Sequence, residues 1–512
     1  MADRTHLKKI AIVGSGSAGV AALWALNRTH HDVYLYEASD RLGGHVNTVE
    51  WKQGKFRTLL DTGFVVFNKA ASPNFMSFLN KLSLGTVHTP VTSSVSRDRG
   101  AFEWAGAGAG FRAIFSQRLN LLSLRMWRML FDIVRFSQFA SDLLREDDHR
   151  KGSASYDETI GQYLDREGYS DAFRDEYLLP LAAGLWSTSP EKCAFELPVV
   201  MLVRYMWNHG LLDVSGNSTQ WATLENGSRS YVDAVLKGFP PNHLFLKTAV
   251  KHVSNTDDGR VNLHLENGRT DMYDHVILAT HGDQAYQIIS PSATEEEKSI
   301  LSRLKTQETI CVLHADTSLM PKRRRAWAAL NHSTMTSRWS SREIEKVSLT
   351  YDMNQLQRVP REAFGNVFVT VNPLHEPKAA LVQGRCSYSN PVYDQATLRA
   401  LDLLPRIQNK RGISYVGAWT RHGFHEDGFT SGLHVAKTHL GARLPFDLID
   451  PAYVRGRYPR IGIVDYIIRI LLLIVQVFVI DLVERVSRKY RTTKPMLNGR
   501  GRHKRGISEK LA

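Results

Sequence analysis

Six residues constrain this chain more than any others: Gly14-Ser15-Gly16-Ser17-Ala18-Gly19. Lys9 to Val13 before them is a short run rich in branched residues, and Ala18 to Leu26 after them has helix-forming composition, so the glycines join a strand to a helix. In that setting the first glycine permits a tight turn, the second lets backbone amides approach a pyrophosphate, and the third allows close helix packing. The helix N-terminus adds positive potential for an anion. Asp32 to Glu37 alternates branched and aromatic residues and completes a βαβ unit. Glu37 follows Gly19 by eighteen residues, where a carboxylate accepts hydrogen bonds from ribose hydroxyls.

A chain of 512 residues exceeds what one compact core holds. From about Ser72 to Gln220 long helical stretches dominate. Within them Asn120 to Arg145, with Leu122, Met126, Met129, Leu130 and Ile133 at helical spacing, reads as one packed amphipathic helix. Tyr231 to Leu236 then reads as a helix, and Leu244 to Thr256, Arg260 to Glu266 and His275 to Ala279 as strands. A second mixed region runs from about Asp283 to Pro391, before a strand at Ser414 to Gly417 and a helix starting near Thr430. The expectation is an α/β, Rossmann-like nucleotide-binding domain built from three separated segments, 1–70, 225–285 and 405–445. Segments 71–224 and 286–404 form an inserted α+β substrate domain.

Nicotinamide and flavin dinucleotides share the glycine fingerprint, so the residues after Glu37 decide. They are Ala38-Ser39-Asp40-Arg41-Leu42-Gly43-Gly44-His45. Two adjacent glycines give a second close backbone approach and Arg41 can reach a phosphate, which a nicotinamide site does not need. This E-A-x-x-R-x-G-G pattern resembles the flavin amine oxidase superfamily. Leu246 to Val253 is similar to the strand whose backbone holds adenine there, with Val250 central. Glu426-Asp427-Gly428-Phe429-Thr430-Ser431-Gly432 is similar to the segment that opens the C-terminal helix toward the flavin.

The resemblance is narrower still to a group of predicted FAD-binding proteins of bacteria, plants and fungi. It is carried by His45, Asn47-Thr48, Asp61 to Asn68, Leu185-Trp186-Ser187, Arg323 to Asn331 and Gly423 to Gly428, and spans about Lys8 to Leu444. Relatives of that group occur fused or adjacent to cyclopropane fatty-acid synthases, which implies lipid acyl chains as substrate class and a lipid-modifying enzyme as partner. The cofactor implied is FAD. Its contacts are Gly14, Gly16, Ser17, Ala18, Gly19, Glu37, Arg41, Gly43, Gly44 and His45 at the AMP and pyrophosphate side, Val250 at the adenine, and Asp427, Gly428 and Phe429 at the ribityl and ring end. Monoamine oxidases tether their flavin through a cysteine beside the C-terminal motif; this motif has none, so the expected attachment is non-covalent.

Oxidation of a C–H bond by a flavin needs chiefly a positioned substrate, because the cofactor carries the hydride chemistry. His422 and His425 flank the ring-facing turn and are the candidate catalytic groups, orienting substrate or moving protons. Trp419 and Phe424 are expected pocket walls, Trp186 and Trp207 candidate walls of an acyl tunnel, and His281 a loop histidine. Cys193, Cys311 and Cys386 have no metal-like spacing, and no metal is expected. The reading is an FAD-dependent dehydrogenase or oxidase taking hydride from a lipophilic substrate. Its rivals are a redox-neutral isomerase of unsaturated lipids and a non-catalytic flavoprotein partner of a lipid-modifying enzyme.

The formal charge of +14 raises nucleic acid as a partner, but location decides. The tail 485–512 holds ten Lys or Arg against one acid, Glu509, and so carries +9 of the total. A modestly basic body with a basic tail is no nucleic-acid-binding domain. Just before the tail, residues 461–483 form an apolar helix in which Asp465, Arg469 and Gln476 make one polar stripe. The helix is just long enough to cross a bilayer, but a lone spanning helix would bury that stripe in hydrocarbon. An interfacial one, the favoured reading, keeps it wet, and a polybasic tail is attracted to anionic lipid. The expected place is a membrane surface, with the catalytic domain facing the cytosol because no apolar secretory segment precedes the first strand.

Overall fold

The run Lys-Ile-Ala-Ile-Val at Lys9–Val13 is buried at all but its first residue, as a strand covered on both faces must be. In a computed structural model describing residues 7–106, 110–149, 156–213, 220–337 and 344–482, it is the central strand of a five-stranded sheet. The order is Leu244–Phe245, Asp32–Tyr36, Lys9–Val13, His275–Leu278, Ile413–Tyr415, and every pairing is parallel. Three stretches far apart in the chain thus share one sheet.

The helix Ser17–Leu26 is buried from Ala18 onward because it lies between that sheet and the C-terminal motif helix, His425–Leu440. A Cβ on Gly432 would stand 2.1 Å from the Ala18 carbonyl oxygen, so the two helices touch backbone to backbone. The expected single strand Leu244 to Thr256 is instead two. Leu244–Phe245 stays in the parallel sheet, Lys247 turns the chain at φ 50°, and Val250–Asn255 enters an antiparallel meander with Val261–Leu265 and Thr270–Tyr273.

A seven-stranded sheet runs Val382–Val392, Lys305–His314, Phe368–Val371, Ile344–Asp352, Leu330–Thr336, Ser93–Arg97, Phe102–Ala105. Its last two strands come from the first insertion and the others from the second, which are thereby one α+β body. Helices of the first insertion close over a core including Phe136, Phe173 and Met206. All of this lies within one compact unit, Met1–Pro459.

The long helix expected over 120–145 is corrected. A 3-10 turn at Arg118–Leu122 comes first; Ser123 then caps a helix at Leu124–Phe139, its side chain accepting from the Met126 amide, and a second helix spans Asp142–His149. Met126 and Met129 are buried, but Leu122 is 85% exposed.

Residues from Arg460 onward are a separate unit. An α-helix over Ile463–Val475 continues as a π-turn at Gln476–Ile480. It is the one described helix long and apolar enough to cross a membrane by length and composition. The Asp465 carboxylate accepts from the Gly462 amide at 2.8 Å, so this acid caps the helix start. The basic tail 485–512, with residue 483 of the expected membrane helix, lies outside the described residues.

Candidate functional site

Each fingerprint glycine has its own reason. Gly14 has φ +100°, and a Cβ there would lie 2.7 Å from the Ala279 carbonyl oxygen; one on Gly19 would lie 2.0 Å from the Gly14 carbonyl oxygen. Gly16 differs, since its φ of −63° suits any residue and a Cβ would meet no atom within 4 Å. Open space over Gly16 adjoins the first turn of Ser17–Leu26, a helix with no side-chain cap. Uncapped amides beside free space are what an anionic pyrophosphate requires. Gly44 approaches from the other side, its would-be Cβ 3.2 Å from the Gly16 Cα, and the Gly43 amide donates to the Ser15 carbonyl at 3.1 Å.

Glu37 is held over this turn. Its Oε2 accepts from the Ser15 amide at 2.9 Å and the Ser15 hydroxyl at 2.5 Å, and its Oε1 accepts from the Ser39 amide at 2.8 Å. A carboxylate has about four acceptor sites, which leaves capacity for a ribose hydroxyl. The second segment is fastened to the same residues: the Glu37 amide donates to the Phe245 carbonyl, and the Thr248 amide to the Glu37 carbonyl, at 2.8 and 2.9 Å. That places Val250 two residues beyond the Glu37 contact. Arg41 leans on its own loop, Nη1 donating to the Val46 carbonyl at 3.4 Å.

The third segment meets the first at Gly428, where a Cβ would lie 2.6 Å from Ser17 Oγ. The Asp427 carboxylate accepts from the Phe424 amide at 3.1 Å and fixes the start of its helix. By position, the His425, Glu426 and Asp427 amides have no acceptor within the helix, and they supply the positive end expected at the flavin ring. Phe429 corrects the sequence reading. Its side chain is fully buried against Phe75 and Phe78, so its place is in the core and not at the ribityl chain.

A cavity of about 290 Å³ runs from Ser17, Gly43 and His45 past His422, Gly423 and Asp427 to Leu330, His332 and Leu349 of the large sheet. It connects the glycine turn with the substrate domain. None of its lining residues is a lysine or arginine. Its histidines are held neutral: burial pulls His45, His209, His332 and His422 each down to about 4. Burial also pushes Asp427 up to about 6 and Glu426 up to about 8, against backbone amides that pull both down. The Glu426 oxygens accept from the Asn74 and Phe75 amides at 2.9 and 3.1 Å, so Glu426 caps the helix Pro73–Lys81.

The two histidines expected to act in the reaction stand differently. His425 is stacked on Phe64 at 3.9 Å, with Nε2 2.9 Å from the Tyr231 hydroxyl. That ring is engaged in a structural contact. His422 lines the cavity, and its carbonyl accepts from Trp186 Nε1 at 3.0 Å. His45 has its ring against Tyr388 and near His281, with Nε2 buried and lacking a hydrogen-bond partner. Trp419 is in the core and donates to the Thr280 carbonyl at 3.0 Å, whereas Phe424 is a cavity wall. Trp186 and Trp207 do not line the cavity.

Sequence reasoning missed His332. It is 2% exposed, lines the cavity, and neither ring nitrogen has a partner of hydrogen-bond geometry; the Pro180 carbonyl only offsets some of its burial. A Cβ on Gly184 would lie 2.7 Å from its Cε1, so the facing helix is pared down to admit this ring. No local pattern announces such a position. A larger cleft, about 720 Å³, lies beside the outer face of His425–Leu440 and includes Arg204, Leu398 and His434. It shares His422 but not the glycine turn, so the site is the smaller cavity.

Comparison with known proteins agrees with this geometry. The sequence profile of the flavin containing amine oxidoreductases matches residues 17–438. The flavin-dependent L-tryptophan oxidase RebO of Lentzea aerocolonigenes is 31% identical over 106 residues, 21% of this chain and 22% of that protein. An L-amino acid oxidase of Cerastes cerastes is 49% identical over 41 residues, 8% of each chain. The chain thus aligns with less than a quarter of the length of these curated relatives. Among solved structures, putrescine oxidase bound to putrescine has a TM-score of 0.60 at 15% identity, covering 85% of this chain and 99% of the other. A CLA-producing fatty acid isomerase from P. acnes has a TM-score of 0.58 at 13% identity, covering 84% and 98%. At such identities these structures share a fold.

Proposed function

From the premise that this chain belongs to the flavin containing amine oxidoreductase family, and so is an FAD-dependent oxidoreductase, we propose that it takes hydride from a lipophilic substrate at a membrane surface, with a fatty-acyl chain as the expected class. The observation that carries this reading is the lining of the cavity. Its substrate-domain end is walled by Val91, Leu181, Leu185, Leu330 and Leu349, without a lysine or arginine. An amino-acid carboxylate entering there would be desolvated with no cation to receive it. An ammonium group would meet only Glu426 and Asp427, whose carboxyls burial pushes toward the neutral form. An acyl chain asks only for apolar contact.

FAD, bound non-covalently, supplies the hydride acceptor. The chain's own residues bind, orient and exclude water. Gly16 and the Ser17–Leu26 terminus would receive the pyrophosphate, Glu37 would hold the ribose, and the first turn of His425–Leu440 would lie toward the ring. Neutral His422 and His45 place polar atoms at the chamber without introducing charge. His422 is the group we assign to substrate orientation or proton movement, while His425 braces the turn through Tyr231. The apolar helix Ile463–Ile480, lying in the interface, holds the cytosol-facing catalytic unit near its substrate, and a lipid-modifying enzyme is the expected partner.

The test is anaerobic mixing of the purified flavoprotein with dispersed unsaturated and branched fatty acids and their phospholipid esters, followed at the flavin's visible bands. Bleaching by one lipid class and not by amines or amino acids is the expected result; bleaching by amino acids alone would overturn the lipid reading. The likeness to a fatty acid isomerase supports a second reading, redox-neutral isomerisation. An isomerised lipid formed without any external electron acceptor or net bleaching would establish it. A flavin that no lipid reduces, in a protein that co-purifies with a lipid-modifying enzyme, would point to the non-catalytic partner.

A further inference from the structure

The first insertion exposes large apolar side chains where a soluble surface has no use for them. Phe111, Leu119, Leu122 and Leu124 are 64–85% exposed, and Leu121 and Trp127 are also exposed, all within seventeen residues. They are not loose ends. Trp127 Nε1 donates to the Leu121 carbonyl at 2.8 Å, Ser123 caps the helix that follows, and Phe115 packs between Phe111 and Trp127 with ring centroids 4.8 and 5.5 Å away. The structure holds an apolar prow in place, and a contiguous exposed patch of this kind marks an interaction site.

Charge says what it meets. From residue 104 through 131 there is no Asp or Glu, and four arginines occur, Arg112, Arg118, Arg125 and Arg128. Arg125 pairs inward with Glu176 at 2.9 Å, while Arg112 and Arg118 are exposed and have no acidic partner among the described residues. An apolar tip with a cationic rim fits the interface of an anionic bilayer, where leucine and tryptophan enter the acyl boundary and arginines stay among phosphates. A second copy docking the same patch would set arginine against arginine. The chain's own C-terminal apolar helix carries Asp465 and Asp481 but leads into a tail of net charge +9, so it is a poor counter-charge.

We propose that Phe111 to Trp127 is a second membrane-contacting surface, borne by the catalytic unit itself and inserting into anionic lipid. It deepens the membrane-surface reading above but rests on residues outside both the cavity and the C-terminal helix. Insertion here would set the substrate domain against the bilayer without reliance on the C-terminal anchor alone.

The test uses the full flavin-loaded chain carrying Leu122→Cys labelled with an environment-sensitive fluorophore, with Asp257→Cys on the exposed meander as the reference and the unsubstituted chain as labelling background. With vesicles of phosphatidylcholine and phosphatidylglycerol, emission at 122 should shift to the blue and be quenched by bilayer nitroxide lipids, and 257 should do neither. A Leu119→Glu/Leu122→Glu variant with an unchanged flavin spectrum should partition about tenfold less. An unshifted label at 122 on protein that sediments with vesicles overturns the proposal. So does a shift that follows protein concentration without lipid, which would assign the patch to self-association. Neither outcome touches the lipid-oxidation reading, which is measured separately, on dispersed free fatty acids that need no bilayer.

Discussion

Gly16→Val separates the cofactor from the fold. The backbone there, at φ −63°, accepts valine, and the new Cβ would meet no atom beyond its chain neighbours within 4 Å. Losing glycine at a helix N-cap costs about 1 kcal/mol at most, so the cofactor-free protein should melt within about 2 °C of the parent. The space around that Cβ, beside uncapped amides, is the one proposed for the pyrophosphate. Displacing it forfeits about two charge-assisted hydrogen bonds of roughly 1.5–3 kcal/mol each, or about 3–6 kcal/mol, which at about 1.4 kcal/mol per decade is a loss of roughly 10²–10⁴ in FAD affinity. Titration of cofactor-free protein with FAD, read by quenching of flavin fluorescence, gives the Kd; a thermal melt gives the stability. Gly19→Ala is the contrast, because its Cβ would lie 2.0 Å from the Gly14 carbonyl oxygen and should destabilise the protein itself by about 3 kcal/mol. FAD binding by Gly16→Val within threefold of the parent, or a melt as low as that of Gly19→Ala, would refute this separation.

Other consequences are as specific. Gly184→Ala would press on the His332 ring, 2.7 Å from the new Cβ, at a cost of about 1–3 kcal/mol; denaturant melts should show His332→Ala recovering part of that loss, and simple additivity would contradict the packing described. His332 in the fold ionises only near 4 but near 6.5 when unfolded, so the unfolded chain takes up the proton first and stability falls as pH drops from about 6.5 to 4. That ring's share is about 3 kcal/mol, and His332→Leu should flatten the dependence of the melt over that window; an unchanged slope would argue against a neutral buried ring. Asp427→Ala removes the acceptor of the Phe424 amide and should cost about 1 kcal/mol while weakening FAD binding, both visible in the melt and titration above.

What could be read in advance was local. The glycine turn, Glu37 and the Gly43-Gly44 pair announce themselves because each satisfies a backbone demand set within a few residues. The meeting of Gly428 with Ser17 was foreshadowed only through likeness to other chains, since contact between residues more than four hundred apart leaves no periodic trace. Val250 stands two residues past the Thr248 contact to Glu37, but the strand expected around it breaks at Lys247, whose positive φ no β-pattern shows. Phe429 stood in a motif read for its ring end, but one turn into a helix an aromatic residue goes to the core. His332 was invisible because its value depends on Gly184 across an insertion. Leu122 shares helical spacing with the buried Met126 and Met129 yet is exposed, because helical spacing records a face and not what covers it.

Three distant segments form the proposed flavin cradle. Its most direct measurement is the visible spectrum of the purified chain before and after denaturation and filtration. One FAD per chain, bound in the native protein and wholly released into the filtrate, is the predicted result. Colourless protein that takes up no added FAD, or flavin that stays with the denatured chain, would contradict it.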